Sequence, residues 1–483
     1  MNFHYRQLLK GTSLLSLSGL LRKGVGFLLL PVYTLYLTPA DYGAVELFLV
    51  FVGILTIVVT QGLTSALMKR IVYDHGDRDK KAAGVAFGTA LIFVAGSALL
   101  TGLFAFVFSR PIASLVFDDP IYRYLIVIGA ANVLFQTLFN TLLVPLRAAQ
   151  KYGIITISSF AVFLGALSGN LVFLIVLDAG FASLIYGRFI GSVCGALAAF
   201  LFARSYLVWR FDRKELRVLT KFGRPLILSA IGFMALSSTD RILLKYFGSN
   251  ADVGLYSVAA QIGLVTSTVL LGPFMRTWPT VYYRIAKQDD AKTHFSGFAT
   301  GFLAFGLLCT LGFHFFAPYV LMIMTQPAFY GAASAVGLLV LGRFLFALND
   351  ILKVGMNIEM KTHLLPIRVV FAGVLNVIID IILIPKYGIV GAALGTVISY
   401  AAMDLYTIWA CRSFYRVDYA WKEMGKLIVL ATLVWLVQFK AAGLGLGADI
   451  AIKSVLLVGF GAIAWRAIGP DVKRRLFSPA LTP

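Results

Sequence analysis

Long apolar runs separated by short polar segments dominate the sequence, and their lengths match the thickness of a bilayer. A membrane-spanning helix needs about 20 predominantly apolar residues, and every backbone polar group within hydrocarbon must be hydrogen-bonded internally. The predicted spans are 12–37, 42–67, 83–108, 121–143, 154–177, 181–205, 222–246, 253–275, 295–316, 328–352, 363–384, 388–410, 424–440 and 450–468. The pattern therefore predicts an all-α polytopic membrane protein with about 14 transmembrane helices.

Composition supports this class of protein. Of the 483 residues, 59% are hydrophobic and 13% are charged, with a mean hydropathy of +0.87, whereas about 25% of a soluble domain is charged. The net charge of +20 would suggest nucleic acid in a soluble protein. Here the basic residues cluster in short loops between apolar runs, which indicates membrane topology instead, so no nucleic-acid partner is expected.

Lysine and arginine also predict the orientation. With the amino terminus placed in the cytoplasm, 30 of the 42 basic residues fall in segments on that side and 6 on the other. Basic loops are retained in the cytoplasm. Both termini are therefore predicted to be cytoplasmic, in a bacterial inner membrane.

The longest charged loop divides the predicted spans into six and eight. It reads "RSYLVWRFDRKELRVLTKFGR" over Arg204–Arg224. The predicted organisation is an N-terminal lobe (1–205), a cytoplasmic linker (206–221), a C-terminal lobe (222–410), and an extra helix pair with a cytoplasmic tail (411–483).

Two motifs recur between the lobes. "YLTPADYGAVELF" (Tyr36–Phe48) and "YFGSNADVGLYSVA" (Tyr246–Ala259) each join two spans through Ala-Asp-x-Gly, and Asn170 and Asn376 occupy a second repeated junction. Both repeats lie six spans apart. They predict pseudo-symmetric lobes of parallel topology, a transporter architecture with its binding site between the lobes. Asp41 and Asp252 are predicted to cap helix N-termini.

Charged side chains within the spans are the candidate functional residues, because a charge in hydrocarbon is costly and usually faces a cavity or a partner. The predicted cationic set is Arg22, Lys23, Arg188, Arg241 and Arg343. The predicted set for ion coupling or polar helix contacts is Asp240, Asp350, Asn376, Asp380 and Asp404. Arg368 lies close enough to the predicted cytoplasmic end of its span to snorkel to the membrane surface, and it is not counted among the candidates.

The sequence leaves the roles within these sets open. Arg22 and Lys23 either line a cavity or snorkel to the interface. Arg343 either lines a cavity or forms an ion pair. Asn376 and Asp380, four residues apart on one helix face, either bind a coupling cation or join helices through polar contacts.

Enzymatic chemistry is not indicated. The five histidines are scattered, and Cys194, Cys309 and Cys411 lack metal or disulfide spacing. Neither a phosphate-binding loop nor a zinc motif is present. A non-enzymatic protein without cofactor or structural metal is predicted, and the identity of a coupling ion, H⁺ or Na⁺, is left open.

Three stretches resemble bacterial oligosaccharide flippases. Phe222–Gly263, which contains "SSTDRILLKYFGSNADVGLYSVA", is similar to the middle of that family, Leu375–Tyr400 to its span eleven to twelve junction, and residues 21–48 to its first hairpin. On these residues the chain is identified as resembling the Wzx-type flippases of the multidrug/oligosaccharidyl-lipid/polysaccharide exporter superfamily.

The resemblance implies a two-lobed fourteen-helix fold with a central cavity that opens alternately to each side. The implied substrate is an undecaprenyl-diphosphate oligosaccharide used for O-antigen, exopolysaccharide or capsule synthesis, and the implied partners are membrane lipids, a polysaccharide polymerase and assembly proteins. Within a cationic cavity the resemblance points to Arg22, Lys23 and Arg241. Arginine suits a diphosphate because its donors bind phosphate in pairs.

The sequence leaves two alternative functions open. A cation-coupled multidrug antiporter of the same superfamily would favour an acid-rich cavity, whereas span one carries only cations, Arg22 and Lys23. A membrane glycosyltransferase or polymerase would need a large catalytic loop, whereas the longest loop here is a basic linker.

Overall fold

Helices account for almost all regular structure in the computed structural model, which describes residues 26–75, 79–361, 363–438 and 445–468. No strand occurs within these ranges. The helices are α1 Leu30–Tyr36, α2 Pro39–Thr60, α3 Leu63–Lys69, α4 Lys80–Val107, α5 Ser109–Phe117, α6 Arg123–Ala148, α7 Tyr152–Leu171, α8 Ala182–Ala203, α9 Arg213–Phe247, α10 Asn250–Val265, α11 Gly272–Ile285, α12 Ala291–Met324, α13 Ala333–Leu352, α14 Val354–Ile358, α15 Leu364–Cys411, α16 Trp421–Gln438 and α17 Leu446–Ala467. The predicted all-α class is confirmed.

Eleven helices in the described residues are long and apolar enough to cross a membrane. One of these, α15, comprises two of the predicted spans, because the chain bends at Gly388, where φ is 54° and ψ is −130°. Glycine adopts this left-handed φ without the steric cost that other residues incur. Helix α16 corresponds to predicted span thirteen, and most of predicted span one lies outside the described residues. The structure is therefore compatible with fourteen spans.

The repeated Ala-Asp-x-Gly motifs form equivalent helix starts. Thr38 caps α2, with its hydroxyl accepting from the Asp41 amide at 3.2 Å while the Asp41 carboxylate accepts from the Thr38 amide at 3.0 Å. Ser249 likewise accepts from the Asp252 amide at 3.2 Å and donates to the Asp252 carboxylate at 2.7 Å. Such caps satisfy amides that the helix leaves unpaired. The predicted capping role of both aspartates is confirmed.

The chain forms two compact units, Met1–Met234 with Ser249–Gly254, and Ala235–Gly248 with Leu255–Pro483. In the first unit α7 and α8 approach closely through glycines. A Cβ at Gly165 would lie 3.1 Å from the Gly191 Cα, and one at Gly169 would lie 2.9 Å from the Gly187 Cα. Small residues permit this close helix packing in membranes, where association relies on van der Waals contact.

In the second unit the last two helices pack on α12. Leu307, Phe315, Leu427 and Phe460 belong to one buried cluster of α12, α16 and α17. Polar contacts support it: the Trp435 indole donates to His314 Nε2 at 3.0 Å. The predicted extra helix pair is thus part of this compact unit.

The basic stretch after α8 is part extended and part helical. A single 3₁₀ turn covers Arg204–Tyr206, an extended segment follows, and α9 begins at Arg213. Helix α9 continues without a break through predicted span seven. The division into lobes and linker by residue number stays a prediction.

Candidate functional site

Asp240 and Arg241 on α9 are joined to the neighbouring helix α10. The Tyr256 hydroxyl donates a hydrogen bond to the Asp240 carboxylate, which is only 5% exposed. Arg241 Nη1 lies 3.5 Å from Asp240 Oδ1, and Arg241 Nε donates to the Ser257 hydroxyl at 3.2 Å. The guanidinium also lies 5.7 Å from the centre of the Tyr256 ring. Two adjacent residues of α9 thus contact two adjacent residues of α10.

The Arg241 side chain also bonds to its own helix. Its Nη1 donates to the Ser237 carbonyl, one turn earlier, at 3.0 Å. These contacts compensate part of the cost of burying a cation. These contacts give the pair a structural role. The guanidinium has five donors in all, and it is only partly buried.

A second polar pair lies on α15. Asn376 and Asp380 are one turn apart, 1% and 0% exposed, and neither side chain has a hydrogen-bond partner among the described residues. Asp240 is close enough to act electrostatically on Asp380. A buried carboxylate without a partner is costly unless a proton or a cation neutralises it.

The two halves of α15 enclose this carboxylate. A Cβ at Gly395 would lie 1.9 Å from Asp380 Oδ1, so a side chain there would collide with the carboxylate. The next residue, Thr396, places its hydroxyl 3.5 Å from the Tyr256 hydroxyl. Asp240, Tyr256, Thr396, Asn376 and Asp380 are therefore brought together as a cluster of oxygen and amide groups, which we call the acidic cluster.

Arg343 and Asp350, two further residues predicted from the sequence, both lie on α13 in the second unit. Arg343 on α13 is partly buried, and both Arg343 and Asp240 act electrostatically on Tyr400. Asp350 pairs with Lys353 near the end of α13, and its carbonyl accepts from the Trp278 indole at 3.1 Å. Asp350 is thus held by local contacts.

Asp404 belongs to a separate buried network. Asn349 Nδ2 donates to Asp404 Oδ1 at 2.7 Å and to the Thr407 hydroxyl at 3.0 Å. Arg368 is 7% exposed and acts electrostatically on Asp404. The expectation that Arg368 snorkels to the surface is wrong, because packing encloses its side chain beside a carboxylate.

Arg188 lies in the first unit, on α8. Its side chain is exposed and acts electrostatically on Tyr33, whose hydroxyl accepts from Asn170 Nδ2 at 2.6 Å. Arg22 and Lys23, the cations predicted for span one, lie outside the described residues.

Several members of these clusters were not among the residues predicted from the sequence. Tyr256, Thr396 and Asn349 are polar groups within apolar runs. Tyr256 contacts Asp240 and Asn349 contacts Asp404, 16 and 55 residues away along the chain, and Thr396 contacts the Tyr256 hydroxyl. A search for hydroxyl and amide groups within spans would have found them. Their partners are defined only by helix packing.

A family model described as "Polysaccharide biosynthesis protein" matches residues 8–282, which is more than half of the chain. The chain belongs to this family. The matched residues include Asp240, Arg241 and Tyr256, and they end before Asn376 and Asp380.

Two relatives illustrate the similarity. A probable low-salt glycan biosynthesis flippase of Haloferax volcanii is 23% identical over 257 residues, covering 53% of this chain and 54% of the relative. A succinoglycan biosynthesis transport protein of Rhizobium meliloti is 26% identical over 269 residues, covering 55% of this chain and 51% of the relative. The chain spans about half the length of the curated relatives it matches.

Solved structures show the fold. A lipid II flippase, MurJ, in an inward closed conformation matches with a TM-score of 0.70 at 16% identity, covering 94% of this chain and 99% of that one. A multidrug resistance MATE family transporter of the MOP superfamily, in an inward-facing conformation, matches with a TM-score of 0.64 at 17% identity, covering 81% and 95%. This member of the polysaccharide biosynthesis family therefore has the fold of MOP-superfamily flippases and transporters.

Proposed function

We propose that this protein moves a lipid-linked oligosaccharide, carried on undecaprenyl diphosphate, from the cytoplasmic to the outer leaflet of a bacterial inner membrane. The observation that carries the proposal is the polysaccharide biosynthesis family match over residues 8–282 in a chain with a flippase fold. The relatives named for glycan and succinoglycan biosynthesis support it. Polymerase and assembly proteins of surface polysaccharide synthesis are the proposed partners.

The physical task explains the intramembrane cations. A diphosphate-sugar head group cannot cross hydrocarbon unaided, because removing its charges from water costs many kcal/mol. Arg22, Lys23, Arg188, Arg241 and Arg343 are the proposed substrate-facing cations. Arg241 keeps a partly buried guanidinium beside Tyr256. Alternating access would expose such cations to each leaflet in turn.

The acidic cluster is the proposed coupling site. It offers two carboxylates, an amide and two hydroxyl groups, and Asp380 has no hydrogen-bond partner among the described residues. Oxygen donors of this kind suit either a proton on a carboxylate or a hard monovalent cation. Binding of H⁺ or Na⁺ would neutralise Asp380 and so make one conformation of the second unit more stable than another.

Transport of the lipid-linked substrate tests the function. Deletion of the gene for this chain in cells that make the polysaccharide should leave the lipid-linked oligosaccharide on the inner leaflet. In proteoliposomes, the purified chain should make that lipid accessible to an external glycosidase. The double variant Arg22→Ala/Lys23→Ala should reach the membrane yet fail in both assays. Normal transport by that variant would exclude both cations from the site.

The alternatives give different outcomes in the same experiments. Export of cationic drugs against a cation gradient, with normal surface polysaccharide after deletion, would favour a multidrug antiporter. Loss of the lipid-linked oligosaccharide itself would favour a glycosyltransferase, and its accumulation on the outer leaflet would favour a polymerase. Either result would contradict the flippase proposal.

A further inference from the structure

A cavity lies within the first unit where the ends of several spans meet the basic linker. Its volume is about 430 Å³. Ile71, Phe87 and Pro145 give it an apolar lining, and Lys80, Ser205 and Tyr206 add polar groups. Lys80 opens α4 and Pro145 lies in the last turn of α6, so the cavity is at the level where these spans end. An apolar cavity with polar groups at one side suits an amphipathic ligand.

The extended part of the linker forms one wall of this cavity, and it is fixed against α4. A Cβ at Gly88 would lie 2.1 Å from the Val208 carbonyl oxygen, and one at Gly84 would lie 2.7 Å from Val208 Cγ2. The Thr89 hydroxyl adds a hydrogen bond to the Arg210 carbonyl at 3.3 Å and accepts from the Asp212 amide at 3.1 Å. The glycines allow the linker to lie directly on the helix, which holds Tyr206 and Val208 at the cavity.

The outer face of the linker carries exposed aromatic side chains. Val208 packs on α4, whereas Trp209 is 69% exposed and Phe211 is 43% exposed. Tryptophan is enriched where proteins meet the head-group region of a bilayer. The residues that flank these two rings in sequence include five exposed basic side chains: Arg204, Arg210, Arg213, Lys214 and Arg217. This combination is typical of segments that lie on an anionic membrane surface.

Cations around the cavity outnumber the acids that are free to bind them. Asp79 accepts from the Ala82 amide at 2.9 Å as the cap of α4. Asp74 and Glu215 both bind Arg70, at 3.1 Å and 2.6 Å. Among the described residues Lys80 and Lys151 have no carboxylate partner, and Lys151 Nζ lies 5.3 Å from the centre of the Tyr206 ring. The local excess of positive charge therefore favours an anionic ligand.

We propose that this cavity binds an anionic phospholipid of the leaflet on the linker side, which the topology predicts to be cytoplasmic. Lys80 and Lys151 attract the phosphate, the hydroxyl groups of Ser205 and Tyr206 offer donors to it, and an acyl chain covers Ile71, Phe87 and Pro145. Trp209 and Phe211 enter the head-group region beside it. The site lies wholly within the first unit and is separate from the acidic cluster.

Native mass spectrometry of the full chain tests the proposal. The chain is exchanged into detergent with phosphatidylglycerol or phosphatidylcholine of the same acyl chains. We expect tighter retention of phosphatidylglycerol. Lys80→Gln/Lys151→Gln should weaken it by about thirtyfold, since each basic residue near an anionic lipid contributes a factor of about five to six and the two factors multiply. The control Lys287→Gln/Lys422→Gln makes the same charge change at two exposed lysines of the second unit.

A cavity-filling variant separates shape from charge. Ala83 lines the cavity, and Ala83→Phe should displace phosphatidylglycerol without changing the net charge. Equal retention of the two lipids by the unmodified chain, or equal losses in the control and the Lys80/Lys151 variant, would overturn the proposal. Soluble glycerol phosphate that competes as well as the lipid would show that only phosphate is bound, which would also overturn it.

Trp209 provides an independent readout. Brominated phosphatidylglycerol should quench the part of the tryptophan fluorescence that Trp209→Phe removes, because a ring in the head-group region lies near the lipid. The absence of quenching in that difference signal would contradict insertion of the linker. None of these measurements requires transport, so the lipid site and the flippase function can fail separately.

Discussion

Gly43 on α2 and Gly254 on α10 contact each other's helix backbones reciprocally. A Cβ at Gly43 would lie 1.8 Å from the Asn250 carbonyl oxygen, and one at Gly254 would lie 1.9 Å from the Pro39 carbonyl oxygen. Both glycines lie two residues after the capping aspartates, Asp41 and Asp252, of the repeated motif. The repeat thus brings two equivalent helix starts together within the first unit, where hydrogen atoms alone fit between the backbones.

Gly43→Ala should therefore destabilise the protein. Backbone atoms cannot move away as a flexible side chain can, and forcing an extra methyl group into such a contact typically costs about 1–3 kcal/mol. The thermal midpoint of the purified chain in detergent should fall, and membrane abundance should fall with it. Gly53→Ala is the matched control on the same helix, because a Cβ there meets nothing within 4 Å. Equal effects of the two substitutions would contradict the close contact.

A mutant cycle separates structure from substrate binding at Asp240 and Arg241. Arg241→Gln leaves the buried Asp240 carboxylate without its cation, so membrane abundance should fall, whereas Asp240→Asn/Arg241→Gln should restore much of it. If Arg241 also binds the diphosphate, the double variant stays inactive in transport despite its abundance. Full transport by the double variant would reduce the pair to a structural role. Transport per molecule, measured against abundance on immunoblots, is the decisive quantity.

Asp380→Asn should abolish ion coupling without loss of stability. The carboxylate has no hydrogen-bond partner among the described residues, so its neutral amide loses no contact and avoids the cost of a buried charge. We expect normal or increased abundance and transport that no longer responds to an imposed H⁺ or Na⁺ gradient. Asp404→Asn is the control, because Asp404 lies outside the proposed coupling site and its carboxylate already accepts a hydrogen bond from Asn349 at 2.7 Å. A gradient response that survives Asp380→Asn would exclude Asp380 from coupling.

The ion network at Arg70 should make stability depend on pH. Burial acts to raise the pKa of Asp74, but hydrogen bonds from Arg70 and Lys69 outweigh it and lower that pKa below its ordinary value. The hydrogen bond to Glu215 correspondingly raises the pKa of Arg70. Because the carboxylate pKa is lowered in the folded state, the stabilisation is present above the ordinary value of about 4. It is lost as the pH falls through the lowered pKa.

Arg70→Gln should accordingly lower the thermal midpoint near pH 7 by about 1–3 °C, roughly the effect of losing about 1–3 kcal/mol in a chain of this length. The difference from the unmodified chain should shrink as the pH falls below about 4. Lys81→Gln serves as a charge-matched control on the same predicted side. A difference that does not change with pH would rule out the carboxylate network as its source.

Reporter fusions test the predicted topology. Fusions after Lys214 and after Ala480 should report cytoplasm, and a fusion after Gln326 should report the opposite side. The reason is the charge asymmetry: 30 basic residues lie in the segments predicted to be cytoplasmic and 6 in those on the other side. A fusion after Gly388, at the bend of α15, should give the same signal as the fusion after Gln326. A signal from outside the cytoplasm at Lys214 would overturn the orientation.

Much of the fold was predictable because membrane helices are specified locally. Apolar run length predicted the spans: α12 covers all of predicted span 295–316, and α4 and α13 cover most of predicted spans 83–108 and 328–352. The capping roles of Asp41 and Asp252 followed from short-range sequence preferences. The repeat and the family were likewise visible in local motifs.

The pairing of polar residues was decided only by tertiary structure. Asp240 meets Tyr256 across a helical hairpin, Asp404 meets Asn349 from 55 residues away, and Arg368 is buried beside Asp404 rather than at the surface. Hydropathy reports whether a segment enters the membrane, but not which way each helix face points. Rotation and close approach of helices depend on packing at residues such as Gly395. For this reason the sequence determined which charges enter the membrane, whereas the fold determined which of them have partners and left Asp380 with none among the described residues.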